Sequence, residues 1–186
     1  KLGKSLYTHQ ADVTDFSAVS KVAKSLGQID ILVNNAGVWL EGDLETNDPE
    51  KISQVIDVNT KGVIYTTKAF LKNLHQSPNA HLINVSSTSG LRGREQQAVY
   101  VASKFAVRGF TESLKIDLAD SNIKVSGFYP GGMCTQLFAK AGNPKQNDDW
   151  METEKVAQTI AFILEQDQHM CLDHVVLNKR RTKTSN

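Results

Sequence analysis

Charge of one sign is not in excess. Across 186 residues, 21 Lys and Arg face 20 Asp and Glu, a net charge of +1. That balance argues against a basic nucleic-acid face spread over the chain and against electrostatic attachment to a membrane. Long apolar runs are missing too. The longest, such as residues 98–102, hold about five residues, where a membrane helix needs about 20. Cysteine is scarce, with Cys134 and Cys171 alone. Two cysteines cannot make a metal site by themselves, so none is expected. They read as free buried thiols of a cytoplasmic protein rather than as a disulfide. The first residue is Lys1, not Met, so either the start was processed or further residues precede it.

What is present is an ordinary globular composition, 40% hydrophobic and 22% charged. At about 150 residues per domain the length fits one domain with one sizeable core. Residues 1–178 are expected to form it, and residues 179–186 read as a basic, polar, solvated tail. Short apolar runs stand at residues 29–33 (IDILV), 81–85 (HLINV), 123–128 (IKVSGF) and 173–177 (DHVVL), with residues 6–13 a weaker fifth. Apolar runs without alternation predict strands buried on both faces. Helical spacing fills the intervals. Thr14 reads as an N-cap before Phe16, Val19, Val22, Ala23 and Leu26. Residues 48–74, opened by Asp48-Pro49, residues 97–119 and residues 153–165 read as further helices. Alternating strands and helices predict an α/β fold, a doubly wound parallel sheet with helices on both faces. Residues 135–150 form the one polar stretch long enough for a mobile loop.

In such sheets ligands bind at the carboxyl ends of the strands. Ser86 and Ser87 follow the second run. Tyr100 and Lys104 come next, four apart and so on one face of one helix. An ammonium beside a phenol favours the phenolate, so Tyr100 is expected to lose its proton below its usual value of about 10. A tyrosine so tuned serves as general acid or base. Ser87 can hold the substrate oxygen. In isolation the pair reads equally as an exposed Tyr beside an exposed Lys. Asn34-Asn35-Ala36-Gly37 follows the first run and, alone, reads as a turn. Asn59 stands mid-helix, where Asn is mildly unfavourable unless it faces solvent. Pro130-Gly131-Gly132-Met133-Cys134-Thr135 follows the third run.

Together, Asp12-Val13, Asn34–Gly37, Asn59, Ser87 with Tyr100 and Lys104, and Pro130-Gly131 with Thr135 resemble the short-chain dehydrogenase/reductase family over nearly the whole chain. The resemblance implies a Rossmann-like fold and a hydride passed between a nicotinamide cofactor, NAD or NADP, and a small-molecule carbonyl or alcohol. It implies that Tyr100 moves the proton, that Ser87 orients and polarises the substrate oxygen, and that Lys104 tunes Tyr100 and holds the nicotinamide ribose. Asn59 would sit at a helix irregularity and anchor a proton-relaying water. Asp12 and Val13 would contact adenine. Asn35, Ala36 and Gly37 would lie along the adenosine ribose. Pro130, Gly131, Met133 and Thr135 would border the nicotinamide. The two long helices would form the faces of a homodimer or homotetramer.

One departure is large. The family opens with a strand and a glycine-rich turn that cradles the pyrophosphate at a helix N-terminus. No two glycines here stand two positions apart, so that turn is missing, along with the family's first two strands. In the family those strands lie between the ones matching residues 6–13 and 29–33. Their removal leaves a gap of roughly 14 Å at about 4.8 Å per strand step and makes residues 29–33 an apolar edge. Two expectations follow. Either residues precede Lys1 in the native protein, or the chain is truncated, with residues 6–13 displaced and the edge covered by another chain. A truncated, non-catalytic reading as an oligomerisation or regulatory partner, or an inert product, stands beside the enzyme. The loop at residues 133–150 is expected to wall the substrate pocket, with Leu137, Phe138 and Trp150. Trp39 and Trp150 either reach that cleft or pack under loops.

Overall fold

The computed structural model describes residues 6–144 and 150–180 of the chain. Part of the loop expected over residues 135–150 (residues 145–149) and most of the expected tail (residues 181–186) lie outside the described residues.

The elements run α1 (Phe16–Ser25), β1 (Ile31–Asn34), α2 (Pro49–Ile56), α3 (Gly62–His75), β2 (Ala80–Val85), α4 (Ala98–Asp117), β3 (Ile123–Pro130), α5 (Leu137–Lys140), α6 (Thr153–Leu164) and β4 (His174–Leu177). The four strands pair in parallel in the order β1-β2-β3-β4. Each strand-to-strand connection carries a helix, as parallel neighbours require.

The two faces of the sheet bury different layers. Leu82 and Val125 pack with Leu74 of α3 and Leu114 and Leu118 at the end of α4. Ile83, Val85 and Phe128 face the other way, against Val156 and Ile163 of α6. Burying each such side chain contributes about 1.5–3 kcal/mol. α1 lies on α3 through Val19, Ala23 and Phe70.

Several expectations need correction. Residues 6–13 form no strand. A strand is stable only when a neighbour takes its backbone hydrogen bonds, and among the described residues no strand lies beside this segment. Only β2 and β3 are covered on both faces. The edges β1 and β4 are half covered: the α6 layer reaches no residue of β1, and the opposite layer of Leu74 and Leu114 reaches none of β4. Ile31 and Val33 are therefore 49% and 37% exposed, an apolar edge as anticipated. Asp15, not Thr14, caps α1, accepting from Ser17 N and Ala18 N. Thr14 instead donates to Asp12 Oδ1. The segment 48–74 is interrupted by a π turn at Asp57–Lys61. Residues 137–140 of the expected loop form α5. Cys134 and Cys171 are free, as expected, but exposed, since both stand in loops outside the core.

Candidate functional site

β2 ends at Val85, and the chain turns at once into a single 3-10 turn, Thr88–Gly90, capped by Ser87, whose Oγ accepts from Ser89 N. That turn lies hard against α4. A Cβ on Gly90 would stand 2.5 Å from Ser86 Oγ and 2.7 Å from Lys104 O, so no other residue lets the two backbones approach this closely. Ser86 Oγ donates to Lys104 O at 2.9 Å and fixes the contact. The close approach brings Ser87 beside Tyr100, where its hydroxyl favours the phenolate.

Tyr100 and Lys104 are buried, at 7% and 6% exposure. Lys104 Nζ lies 5.8 Å from the Tyr100 ring centroid and donates to Val85 O at 3.3 Å. Here the sequence-based expectation is reversed. Burial pushes the Tyr100 phenol up to about 12, with the Ser87 hydrogen bond opposing it. Burial also pulls the Lys104 ammonium down to about 8. In this chain, desolvation disfavours the charged form of both groups and outweighs their attraction. The ammonium sits over the ring and reaches a main-chain carbonyl.

Asn59 is fully buried within the π turn, not solvent-facing. Single π turns inside helices recur at functional sites. Asn59 Oδ1 accepts from Val38 N at 2.8 Å, and its Nδ2 donates to Val38 O at 2.9 Å and to Ser103 Oγ at 3.0 Å. Ser103 Oγ in turn donates to Tyr100 O at 2.7 Å. Asn59 thus ties the loop after β1 to the helix that carries Tyr100. Deeper in the sheet, Asn34 Nδ2 donates to Thr67 Oγ1 and to Asn84 Oδ1, and Asn84 Nδ2 donates to Thr111 Oγ1. This buried polar chain joins α3, β1, β2 and α4.

Two cavities flank Tyr100. The inner one, about 410 Å³, is lined by Asn35, Gly37, Lys104, Met133 and Thr135 among others. The outer one, about 910 Å³, is lined by Ser87, Pro130, Gly131, Arg92 and Arg94 among others. Tyr100, Ser86, Trp39, Met133, Thr135 and Leu137 border both. Trp39, Phe138 and Trp150 form one aromatic wall of the outer cavity. Trp39 meets Phe138 edge-on at 4.5 Å, and Phe138 stacks on Trp150 at 4.6 Å. Both tryptophans therefore reach the cleft. A Cβ on Gly132 would stand 2.5 Å from Trp150, so that residue gives the wall its seat.

Of the residues expected here, Asn35, Gly37, Ser87, Tyr100, Lys104, Pro130, Gly131, Met133 and Thr135 converge on these cavities, and Asn59 stands directly behind them. Ala36 lines neither cavity. Asp12 and Val13 line neither as well. Asp12 is exposed and holds Thr14, while Val13 packs on Gly62 at the start of α3. Ser103, Asn84 and Thr111 were missed, and Ser86 was named beside Ser87 without a role. Asn84 gave a signal, as an amide inside an apolar run. Ser103, one serine among many, gave none.

The model of the short-chain dehydrogenases matches residues 1–146. An uncharacterized oxidoreductase of Staphylococcus saprophyticus is 33% identical over 175 residues, covering 91% of this chain and 71% of that protein. The closed form of a serine dehydrogenase complexed with NADP+ superimposes with a TM-score of 0.87 at 28% identity, covering 99% of this chain and 81% of that one. ElxO with NADP bound superimposes with a TM-score of 0.78 at 29% identity, covering 92% and 75%. With its helix-flanked parallel sheet and its Ser, Tyr, Lys and Asn gathered at the strand ends, the chain belongs to the short-chain dehydrogenase/reductase family of oxidoreductases.

Proposed function

We propose that the protein transfers a hydride between a nicotinamide dinucleotide, NAD or NADP, and a small-molecule carbonyl or secondary alcohol, with Tyr100 as general acid or base. One observation carries this reading. Tyr100 lies at the boundary between two cavities and shares the outer one with Ser87, whose hydroxyl acts on the phenol, with Lys104 buried one helical turn away.

The inner cavity suits the nicotinamide end of the dinucleotide. Lys104 Nζ has one hydrogen-bond acceptor among the described residues, Val85 O, although an ammonium carries three donors. It also stands 3.7 Å from where a Cβ on Gly37 would lie, so the wall opposite it is bare. A buried ammonium with donors to spare beside an open wall fits a ribose diol. Asn35, Gly37, Met133 and Thr135 would line the group, and Pro130 and Gly131 would border it from the outer cavity. When bound, the nicotinamide supplies or takes up the hydride. Asp12, Val13 and Ala36 are proposed contacts on the adenosine side, carried by the family pattern alone.

The outer cavity would hold the substrate, its oxygen between the Ser87 and Tyr100 hydroxyls. With its proton held up to about pH 12, Tyr100 is suited to give that proton to a carbonyl oxygen. Asn59 keeps the Val38 backbone and, through Ser103, the Tyr100 turn in place, and it would position the relay water proposed for it.

Titration with NADH and with NADPH, followed by Trp fluorescence, tests this reading. A saturable response is expected. No response to either at millimolar concentration favours the non-catalytic partner instead. Tyr100→Phe should abolish turnover and leave cofactor binding nearly unchanged. A variant that turns over at the parent rate overturns the role given to Tyr100.

We further assign the faces of α2 to α4 to a homodimer or homotetramer. Phe105 and Ile116, exposed on α4, support this, and gel filtration at micromolar concentration checks it. The cytoplasm is the proposed compartment. No described helix is long and apolar enough to cross a membrane.

A further inference from the structure

Among the described residues that line the outer cavity, Arg92, Arg94 and Lys179 are positive and none is negative. The chain as a whole is almost neutral, so among the described lining residues this is a local excess of positive charge. The aromatic wall of Trp39, Phe138 and Trp150 faces the same space. A cavity lined by one charge beside low-dielectric walls focuses its field on a ligand of opposite sign.

Arg94 is tethered. The loop of the two arginines joins the Thr88–Gly90 turn to α4. Arg94 Nη2 donates to Thr88 Oγ1 at 3.3 Å. Two residues on, Gln96 has φ 55°, in the left-handed region that a residue with a side chain adopts rarely, and Gln96 O accepts from Gly42 N at 2.8 Å. A strained residue in a segment that lines a cavity, here between Arg94 and Gln97, is a common companion of binding. The next residue, Gln97, lines the cavity and precedes the 20-residue α4 without a side-chain cap. The first backbone N–H groups of α4 and the positive end of its dipole therefore add to the arginines.

We infer that the outer cavity takes an anionic substrate: an oxo or hydroxy compound that carries a carboxylate or phosphoryl group and an apolar, preferably flat, body. The anionic group lies on Arg92 and Arg94. The apolar body lies on Trp39, Phe138 and Trp150. The reacting oxygen lies between Ser87 and Tyr100. Arg92 and Arg94 thus set specificity. They are placed to choose the substrate and to orient it, without touching the reacting atoms. The inference rests on the oxidoreductase reading above, because that reading places the substrate in this cavity.

The test compares benzoylpropionate, its uncharged methyl ester and its phosphonate counterpart as substrates of the whole chain with NADPH, for the parent protein, R92Q, R94Q and the double variant. The expected result is a kcat/KM at least about tenfold higher for the acid or the phosphonate than for the ester, expressed mainly in KM, as loss of a charge-assisted hydrogen bond predicts. That ratio should fall to near one in the variants. Whichever anion is preferred tells carboxylate from phosphoryl recognition. An ester used as well as the acid, or variants that slow both alike, overturns the inference.

A second readout keeps the two readings apart. The chain has two tryptophans, Trp39 and Trp150, and both line this cavity. Their fluorescence reports occupancy without turnover. If no carbonyl is reduced, the oxidoreductase reading fails. The anion site still stands if the acid quenches at least about tenfold more tightly than the ester and loses that advantage in R92Q and R94Q. It falls if acid and ester quench alike. If the variants lose NADPH affinity in parallel with the acid, the arginines serve the cofactor phosphates and the inference falls.

Discussion

Asn59 grips both backbone polar groups of Val38. It accepts from Val38 N at 2.8 Å and donates to Val38 O at 2.9 Å. Its third bond, to Ser103, reaches the helix of Tyr100. Asn59→Ala strands these buried partners, each worth about 1–3 kcal/mol when unpaired. We expect a stability loss of about 2–4 kcal/mol, or roughly 5–15 °C in Tm for a domain of this size. Thermal melting checks the loss. Asn59→Asp, which keeps the acceptor but not the donors, should recover only part of it.

Lys104 predicts a rise of stability with pH. Its folded-state value is about 8 against an ordinary 10.5. Below pH 8 both folded and unfolded chains carry the ammonium, and the folded state bears the full cost of burying it. Between 8 and 10.5 the folded state sheds the proton first, so that cost fades as pH rises. At 1.36 kcal/mol per pH unit the cost is about 3 kcal/mol. Lys104→Met should remove this rise between pH 8 and 10, which denaturant melts across that range can follow. Tyr100 has the opposite sign. Its raised value stabilises the folded state below pH 10, and that contribution is lost as pH climbs toward 12.

Two glycines near α4 should respond in opposite directions to the same change. Gly90→Ala drives a methyl to within 2.5 Å of Ser86 Oγ and 2.7 Å of the Lys104 carbonyl. The turn must then back away from α4, costing about 1–3 kcal/mol and separating Ser87 from Tyr100, so kcat should fall together with Tm. Gly109 lies inside α4, exposed, with nothing within 4 Å of an added Cβ. Gly109→Ala should stabilise by about 0.5–1 kcal/mol with activity unchanged.

The open edge of β1 predicts self-association. Ile31 and Val33 project from a strand that, among the described residues, pairs on one side only, with β2. Exposed apolar edges template pairing with other chains. Ile31→Lys should lower light scattering at high protein concentration while shifting stability by no more than about 0.5 kcal/mol.

Much of the fold was legible because periodicity reports burial. The runs at residues 81–85 and 123–128 became β2 and β3, covered on both faces. The weaker run at residues 6–13 failed, because a strand is defined by its partner and the sequence pattern shows only its own side. The i, i+4 spacing of Tyr100 and Lys104 correctly placed them on one helix face. It did not reveal how deeply that face is buried, and burial sets the direction of both protonation shifts. Asn59 was legible as an oddity in a helix, but its grip on Val38 joins residues 21 apart, a distance no local pattern encodes. Arg92 and Arg94 carry no motif in the sequence, and only the fold brings them to the same cavity as the aromatic wall.

The Asn34–Asn84 amide pair acts as a key for strand alignment. The two residues stand directly opposite each other in the β1–β2 ladder. A slide of one position would turn one amide to the wrong side of the sheet, and a slide of two would set Asn34 against Leu82 or Ser86. Apolar strands alone tolerate such errors more readily, since one branched side chain substitutes for another. By penalising every misalignment, the pair brings Asn35 level with Val85 at the ends of their strands, where both line the inner cavity. The height at which these strand ends open into the inner cavity is thereby decided inside the sheet.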